Sequence, residues 1–126
     1  MPLRRRNGGA RVRGQGEDRR LGASGSRLDA ADLGARLGVR ATLVQFSSAF
    51  CAPCRATRRV LGEVAGMVPG VAHVEIDAEA RLDLVRALDV LKTPTVLVLD
   101  ADGRVVRRAV GQPRTADVIA ALGEAV

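Results

Sequence analysis

Cys51 and Cys54 are the only cysteines among 126 residues, and they stand three positions apart in the segment Phe50-Cys51-Ala52-Pro53-Cys54. Side chains three apart on a helix are neighbours, so the two sulfurs can close into a small disulfide and reopen without moving the scaffold. The apolar run Ala41-Thr42-Leu43-Val44-Gln45-Phe46 precedes them and a helical pattern follows, which places Cys51 at a helix N-terminus. Unpaired backbone N–H groups and the positive end of the helix dipole favour a thiolate there. Arg55 and Arg58 share its helix face and add positive potential. The thiolate is the attacking species in disulfide exchange. Cys51 is therefore the expected nucleophile, and Cys54, one turn deeper, is expected to resolve the mixed disulfide. Pro53 suits the first turn, where its missing N–H costs nothing, and it stiffens the loop holding the sulfurs. Ala52 is small and lets a partner chain approach.

Other uses of a close cysteine pair fit less well. One CxxC supplies two zinc ligands and His73 is the only histidine, so a closed structural site would need a second chain. A purely structural Cys51–Cys54 disulfide closes so short a loop that it stabilises little. No metal and no cofactor beyond the cysteine pair are expected.

The surrounding pattern must position this pair. Order is expected from Leu28, where Asp29 can cap a short helix with Asp32 in its first turn. Leu28 and Leu33 have the spacing of a hydrophobic staple. Ala41 to Phe46 reads as a buried strand. A helix follows over about 52–68, with Val60, Leu61, Val64, Ala65 and Val68 as its apolar stripe. Val71 to Ile76 reads as a second strand, and 79–88 as a helix burying Leu84, Val85 and Leu88. Thr95 to Leu99 and Arg104 to Val110 flank Ala101-Asp102-Gly103, the signature of a hairpin. Thr115 can cap a last helix burying Val118, Ile119 and Leu122. Helical linkers between the early strands imply parallel pairing, and the hairpin is antiparallel. The expected fold is α/β: a mixed four-stranded central sheet flanked by helices on both faces.

Charge divides the chain in two. Residues 1–27 hold eight arginines against Glu17 and Asp18, while the remainder carries twelve basic and twelve acidic residues. The net charge of +6 therefore belongs to the N-terminal segment, and it does not make the folded part a nucleic-acid binder. That segment is rich in Arg, Gly and Ser, lacks apolar periodicity and is expected to be a disordered basic tail. It is either a solvated leader or an arm for nucleic acid or anionic lipid, and no specific nucleic-acid partner is expected. Gly14-Gln15-Gly16 is half of a dinucleotide fingerprint with no strand before it and is set aside. No apolar stretch approaches the roughly 18 residues of a membrane-spanning helix.

Phe50-Cys51-Ala52-Pro53-Cys54 after an apolar strand, followed by Lys92-Thr93-Pro94-Thr95-Val96, closely resembles the thioredoxin superfamily over residues 28–126. The resemblance implies a thioredoxin-like domain that reduces protein disulfides by dithiol–disulfide exchange. It also implies that Pro94 is cis beside the cysteines, that the Thr93 backbone pairs with an extended substrate segment, and that Gly111 lets substrate approach. Phe50, Ala52 and Pro53 complete the expected substrate-facing surface. Implied partners are protein disulfides and a thioredoxin-reductase-like or membrane electron donor, with the protein a monomer. A cytoplasmic setting is expected, because a CxxC pair there is more often catalytic than structural; attachment through an upstream membrane segment is the alternative.

The departures from the family pattern are informative. Phe50 replaces the usual Trp, and Ala52 stands where thioredoxins proper have Gly. Gln45 occupies the place of their buried Asp, and an amide cannot act as a general base. His73 could exchange protons near Cys54 in its stead, or it could be a strand histidine satisfied by a neighbour such as Gln45. These departures also leave a non-catalytic binding or regulatory module as the alternative function.

Overall fold

The computed structural model describes residues 26–126. Nearly all of the expected basic tail, including Gly14-Gln15-Gly16, lies outside the described residues.

Asp29 caps the first helix, α1 (Ala30–Leu33), in a reciprocal capping box with Asp32. Leu28 and Leu33 on either side of the cap are both buried, as the staple requires. The chain then enters β1 (Ala41–Ser47), whose seven residues are all buried. Next come α2 (Ala52–Met67), β2 (Val71–Asp77), α3 (Leu82–Ala87), β3 (Thr95–Asp100), β4 (Val105–Val110) and α4 (Thr115–Ala125). The four strands form one sheet in the order β2-β1-β3-β4. β1 pairs parallel with β2 and antiparallel with β3, and β3 pairs antiparallel with β4.

Alternation along the two central strands divides the core. Val44, Phe46, Leu97 and Leu99 pack with Leu33 of α1 and with Leu84 and Leu88 at α3. Ala41, Leu43, Val96 and Val98 face the other way, onto Leu61 and Val64 of α2 and Val118 and Leu122 of α4. Helices therefore cover both faces. The core contains one aromatic ring, Phe46, and is otherwise aliphatic.

Four local expectations change. Pairing with the hairpin includes residues before Leu28: the Val105 N–H donates to Ser26 O at 2.6 Å, and Arg27 bridges Arg104 antiparallel. A backbone segment pairing with the hairpin does not need apolar side chains, so its composition did not announce it. α3 is shorter than 79–88 because the Glu79 N–H donates to Asp77 Oδ1 in an Asx turn that delays the helix. Arg114, not Thr115, is the N-cap residue of α4, and it caps without a side-chain hydrogen bond. Thr115 is already in the helix, where its hydroxyl cannot reach forward to a free N–H. Ile119 is 47% exposed; α4 buries only the narrow stripe of Val118 and Leu122.

The β3–β4 turn depends on a glycine. Gly103 has φ +87, and a Cβ there would stand 2.0 Å from Leu28 O. That carbonyl belongs to the segment whose Leu28 N–H donates to Gly103 O at 2.8 Å. Gly103→Ala is expected to lower the unfolding free energy by about 1–3 kcal/mol through left-handed strain and displacement of Leu28. Urea unfolding followed by circular dichroism measures the loss.

Candidate active site

Cys51 is the N-cap residue of α2, in extended backbone at φ −116 and ψ 100. Its Sγ accepts from the Cys54 N–H at 3.2 Å, and its carbonyl accepts from the N–H groups of Cys54 and Arg55. The sulfur therefore sits where the first turn offers unused donors, the environment that stabilises a thiolate. Pro53 occupies the first turn, which has no use for its missing N–H. The two cysteines form a disulfide, with their Cα atoms 5.2 Å apart. They are unequal: Cys54 is 1% exposed, whereas Cys51 is half-buried. An incoming thiolate can reach Cys51 and cannot reach Cys54.

Phe50, Ala52 and Pro53 are exposed around the pair. Phe50 stands wholly in solvent with φ 57, left-handed backbone that an aromatic residue seldom adopts.

The Thr93–Pro94 peptide bond is cis. Two contacts fix this loop against the cysteine turn and the sheet: Ser48 Oγ and Thr93 Oγ1 share a hydrogen bond of 2.7 Å, and the Gly111 N–H donates to Pro94 O at 2.8 Å. Among the described residues neither the Thr93 N–H nor its carbonyl has a hydrogen-bond partner. Gly111, at φ +90, has open space where a side chain would begin. The segments carrying Cys51, Thr93 and Gly111 thus meet at one end of the sheet, although they are far apart in sequence.

Beneath Cys54 lies a polar network. Gln45, fully buried, donates through Nε2 to Cys54 O at 2.8 Å and to Ser47 Oγ at 2.9 Å. With Nε2 so committed, Oε1 is the acceptor for His73 Nε2, 3.1 Å away. His73 is thus satisfied by Gln45, and its bond goes to that amide rather than to a cysteine. Burial holds the imidazole below its ordinary pKa, and this outweighs the attraction of Glu75. Glu75 is held below the usual carboxylate range, chiefly by Arg58 and with help from the Ser47 hydroxyl.

That ion pair corrects one expectation. Arg58 forks onto Glu75 with Nε–Oε1 and Nη2–Oε2 both 2.7 Å, so its charge is matched on β2 instead of being directed at Cys51. Arg55 makes no ion pair among the described residues and keeps its charge one turn from the sulfur. Ser47, Ser48 and Glu75 were not singled out in the sequence. Ser47 was findable, since it follows Gln45 by two on the same strand; the 45-residue separation of Ser48 and Thr93 offered no such signal.

A thioredoxin family model matches residues 35–124. The chain belongs to the thioredoxin family. It is 33% identical over 87 residues to a thioredoxin of Mycolicibacterium smegmatis, an alignment covering 67% of this chain and 77% of that protein. It is also 33% identical over 69 residues to a putative thioredoxin H10 of Arabidopsis thaliana, covering 55% of this chain and 44% of that protein. Among solved structures, a mutant thioredoxin of Halobacterium salinarum superposes with a TM-score of 0.62 at 21% identity, covering 68% of this chain and 74% of that one. The chain is a thiol–disulfide oxidoreductase that works through its own cysteine pair.

Two outcomes follow for the network. Gln45→Leu keeps the volume but strands the His73 N–H and removes the donor to Cys54 O and Ser47 Oγ, and is expected to cost about 1–3 kcal/mol in urea unfolding. His73 binds its proton less readily when folded than when unfolded, so the unfolded chain takes up more protons as pH falls below about 6.5. Stability should therefore be complete above that pH and decline below it, while Glu75 remains ionised. Unfolding curves from pH 8 to pH 5 should show a flatter decline for His73→Gln, whose amide can still donate to Gln45.

Proposed function

We propose that the protein reduces protein disulfides, with Cys51 as nucleophile and Cys54 as resolving cysteine. The observation that carries this reading is the inequality of the two sulfurs: one is reachable at a helix N-terminus and the other is buried behind it. In the reduced enzyme the Cys51 thiolate attacks a substrate disulfide, forming a mixed disulfide and releasing one substrate thiolate. Cys54, as thiolate, then attacks the Cys51 sulfur, which forms the internal disulfide and expels the second substrate sulfur as a thiolate. Two electrons pass from the protein to the substrate. Deprotonating Cys54 does not fall to Gln45, whose amide cannot titrate; water takes the proton at the mixed-disulfide stage.

Substrate recognition rests on the free Thr93 backbone. An extended peptide can pair with its N–H and carbonyl, a strand-addition mode that is tolerant of sequence. Phe50 offers exposed apolar surface beside Cys51, and the bare Gly111 leaves the approach open. Re-reduction calls for an external dithiol donor, either a thioredoxin-reductase-like protein or a membrane donor. We place the protein in the cytoplasm as a monomer, the compartment in which its lone cysteine pair would cycle rather than stay oxidised.

With dithiothreitol as the electron source, insulin disulfide reduction should fall to the uncatalysed dithiothreitol rate in Cys51→Ser. Cys54→Ser should accumulate a mixed disulfide visible by mass spectrometry. A reduction potential near the thioredoxin value of about −270 mV supports the reductive direction, and one near −120 mV points to an oxidant instead.

A further inference from the structure

Arg108 lies in β4 opposite Leu97 of β3, yet its guanidinium does not go to a carboxylate. It reaches across to the end of α3, where Nη1 donates to Asp89 O at 3.2 Å and Nη2 donates to Leu88 O. The last carbonyls of a helix have no partners within it, and Asp89 is turned into left-handed backbone at φ 56 as the chain leaves. The Nε of Arg108 is buried and has no hydrogen-bond partner among the described residues. A surface arginine placed for solubility keeps that atom in water; here Nε is withdrawn from it, and only the forked end is used.

The position of this clamp gives it a role. From Asp89 the chain runs through buried Val90 and exposed Leu91 and Lys92 to Thr93 and Pro94. Strand β4 and the residue that follows it hold that loop at both ends. At one end the Arg108 side chain grips Leu88 and Asp89. At the other the Gly111 N–H, three residues further along, holds Pro94 O at 2.8 Å. The remaining ties are three local ones, Asp89 N–H to Arg86 O, Val90 N–H to Val85 O and Thr95 Oγ1 to Lys92 O, and the long-range Ser48–Thr93 hydroxyl pair.

We propose that Arg108 is a positioning residue for disulfide exchange, setting through the α3–β3 loop where the Thr93 backbone stands beside the cysteine pair. The proposal rests on the strand-addition reading of Thr93 given above. Arginine is required because its planar fork spans two carbonyls, which the point charge of lysine cannot do.

Arg108→Met keeps an apolar stem and removes the donors. It should raise KM for insulin disulfides about tenfold, since small displacements of a positioning element are amplified in rate. Alkylation of reduced Cys51 by iodoacetamide should stay at the parent rate, because that reagent does not use Thr93. The amide resonances of Leu91, Lys92 and Thr93 should move, and Arg108→Lys should give an intermediate KM. A folded Arg108→Met protein with the parent KM and unmoved loop resonances overturns the proposal. Should Arg108→Met fail to fold, a parent KM in Arg108→Lys overturns it and a raised KM at the parent melting temperature supports it. If the unsubstituted protein does not reduce insulin, the reductase reading fails, while the loop resonances still decide the role of Arg108.

Discussion

Gln45 brings a carboxamide into the middle of the sheet, out of reach of water, where an unpaired polar group costs about 1–3 kcal/mol. Its partners come from β1 itself, from the first turn of α2 and from β2: Ser47 Oγ, Cys54 O and His73 Nε2. Meeting all three at once leaves little freedom in how the cysteine turn sits on the sheet. The anchor is the backbone of the buried cysteine, so the reacting sulfur of Cys51 stays outside the network and remains reachable. A neutral amide also asks for no counter-ion. Glu75, the register partner of Gln45 on β2, is exposed and is matched by Arg58.

The chemistry follows from this placement. Cys51 receives the unpaired donors of a helix start and the nearby charge of Arg55, whereas the Cys54 carbonyl is held by an amide that cannot titrate. The environment that favours a thiolate at Cys51 is therefore built into the backbone. The surface beside the pair is likewise made of main chain: among the described residues the Thr93 peptide groups have no hydrogen-bond partner, and Gly111 leaves open space. Phe50, exposed and in left-handed backbone, is a local departure from relaxed geometry of the kind found where a surface must meet a partner.

Much of the site was legible because its determinants are local. The N-cap position of Cys51, the fit of Pro53 to the first turn, the staple of Leu28 with Leu33 and the Asp102-Gly103 turn each depend on residues a few positions apart. Arg58 was misassigned for the same reason. Helix spacing put it on the face of Cys51, but a long side chain takes its partner from whatever strand lies alongside, and parallel pairing brought Glu75 there. Thr115 and Ile119 erred by one residue, since a helix start and the edge of an apolar stripe are set by packing as much as by pattern. The pairing of Ser26 and Arg27 with the hairpin was invisible because it is made by backbone groups that every residue carries.

The sequence by itself determined the order of elements, the split of the core between two sheet faces and the identity of the redox pair. Periodicity, capping chemistry and cysteine spacing act over one or two turns of chain and do not need the fold. Only the tertiary structure decided that His73 serves Gln45, that Ser48 meets Thr93, that Gly111 holds Pro94, and that Arg108 reaches the end of α3. Each of these contacts joins segments far apart in sequence and is set by strand order and register. The chain specifies them through the whole packing of the sheet rather than through any motif.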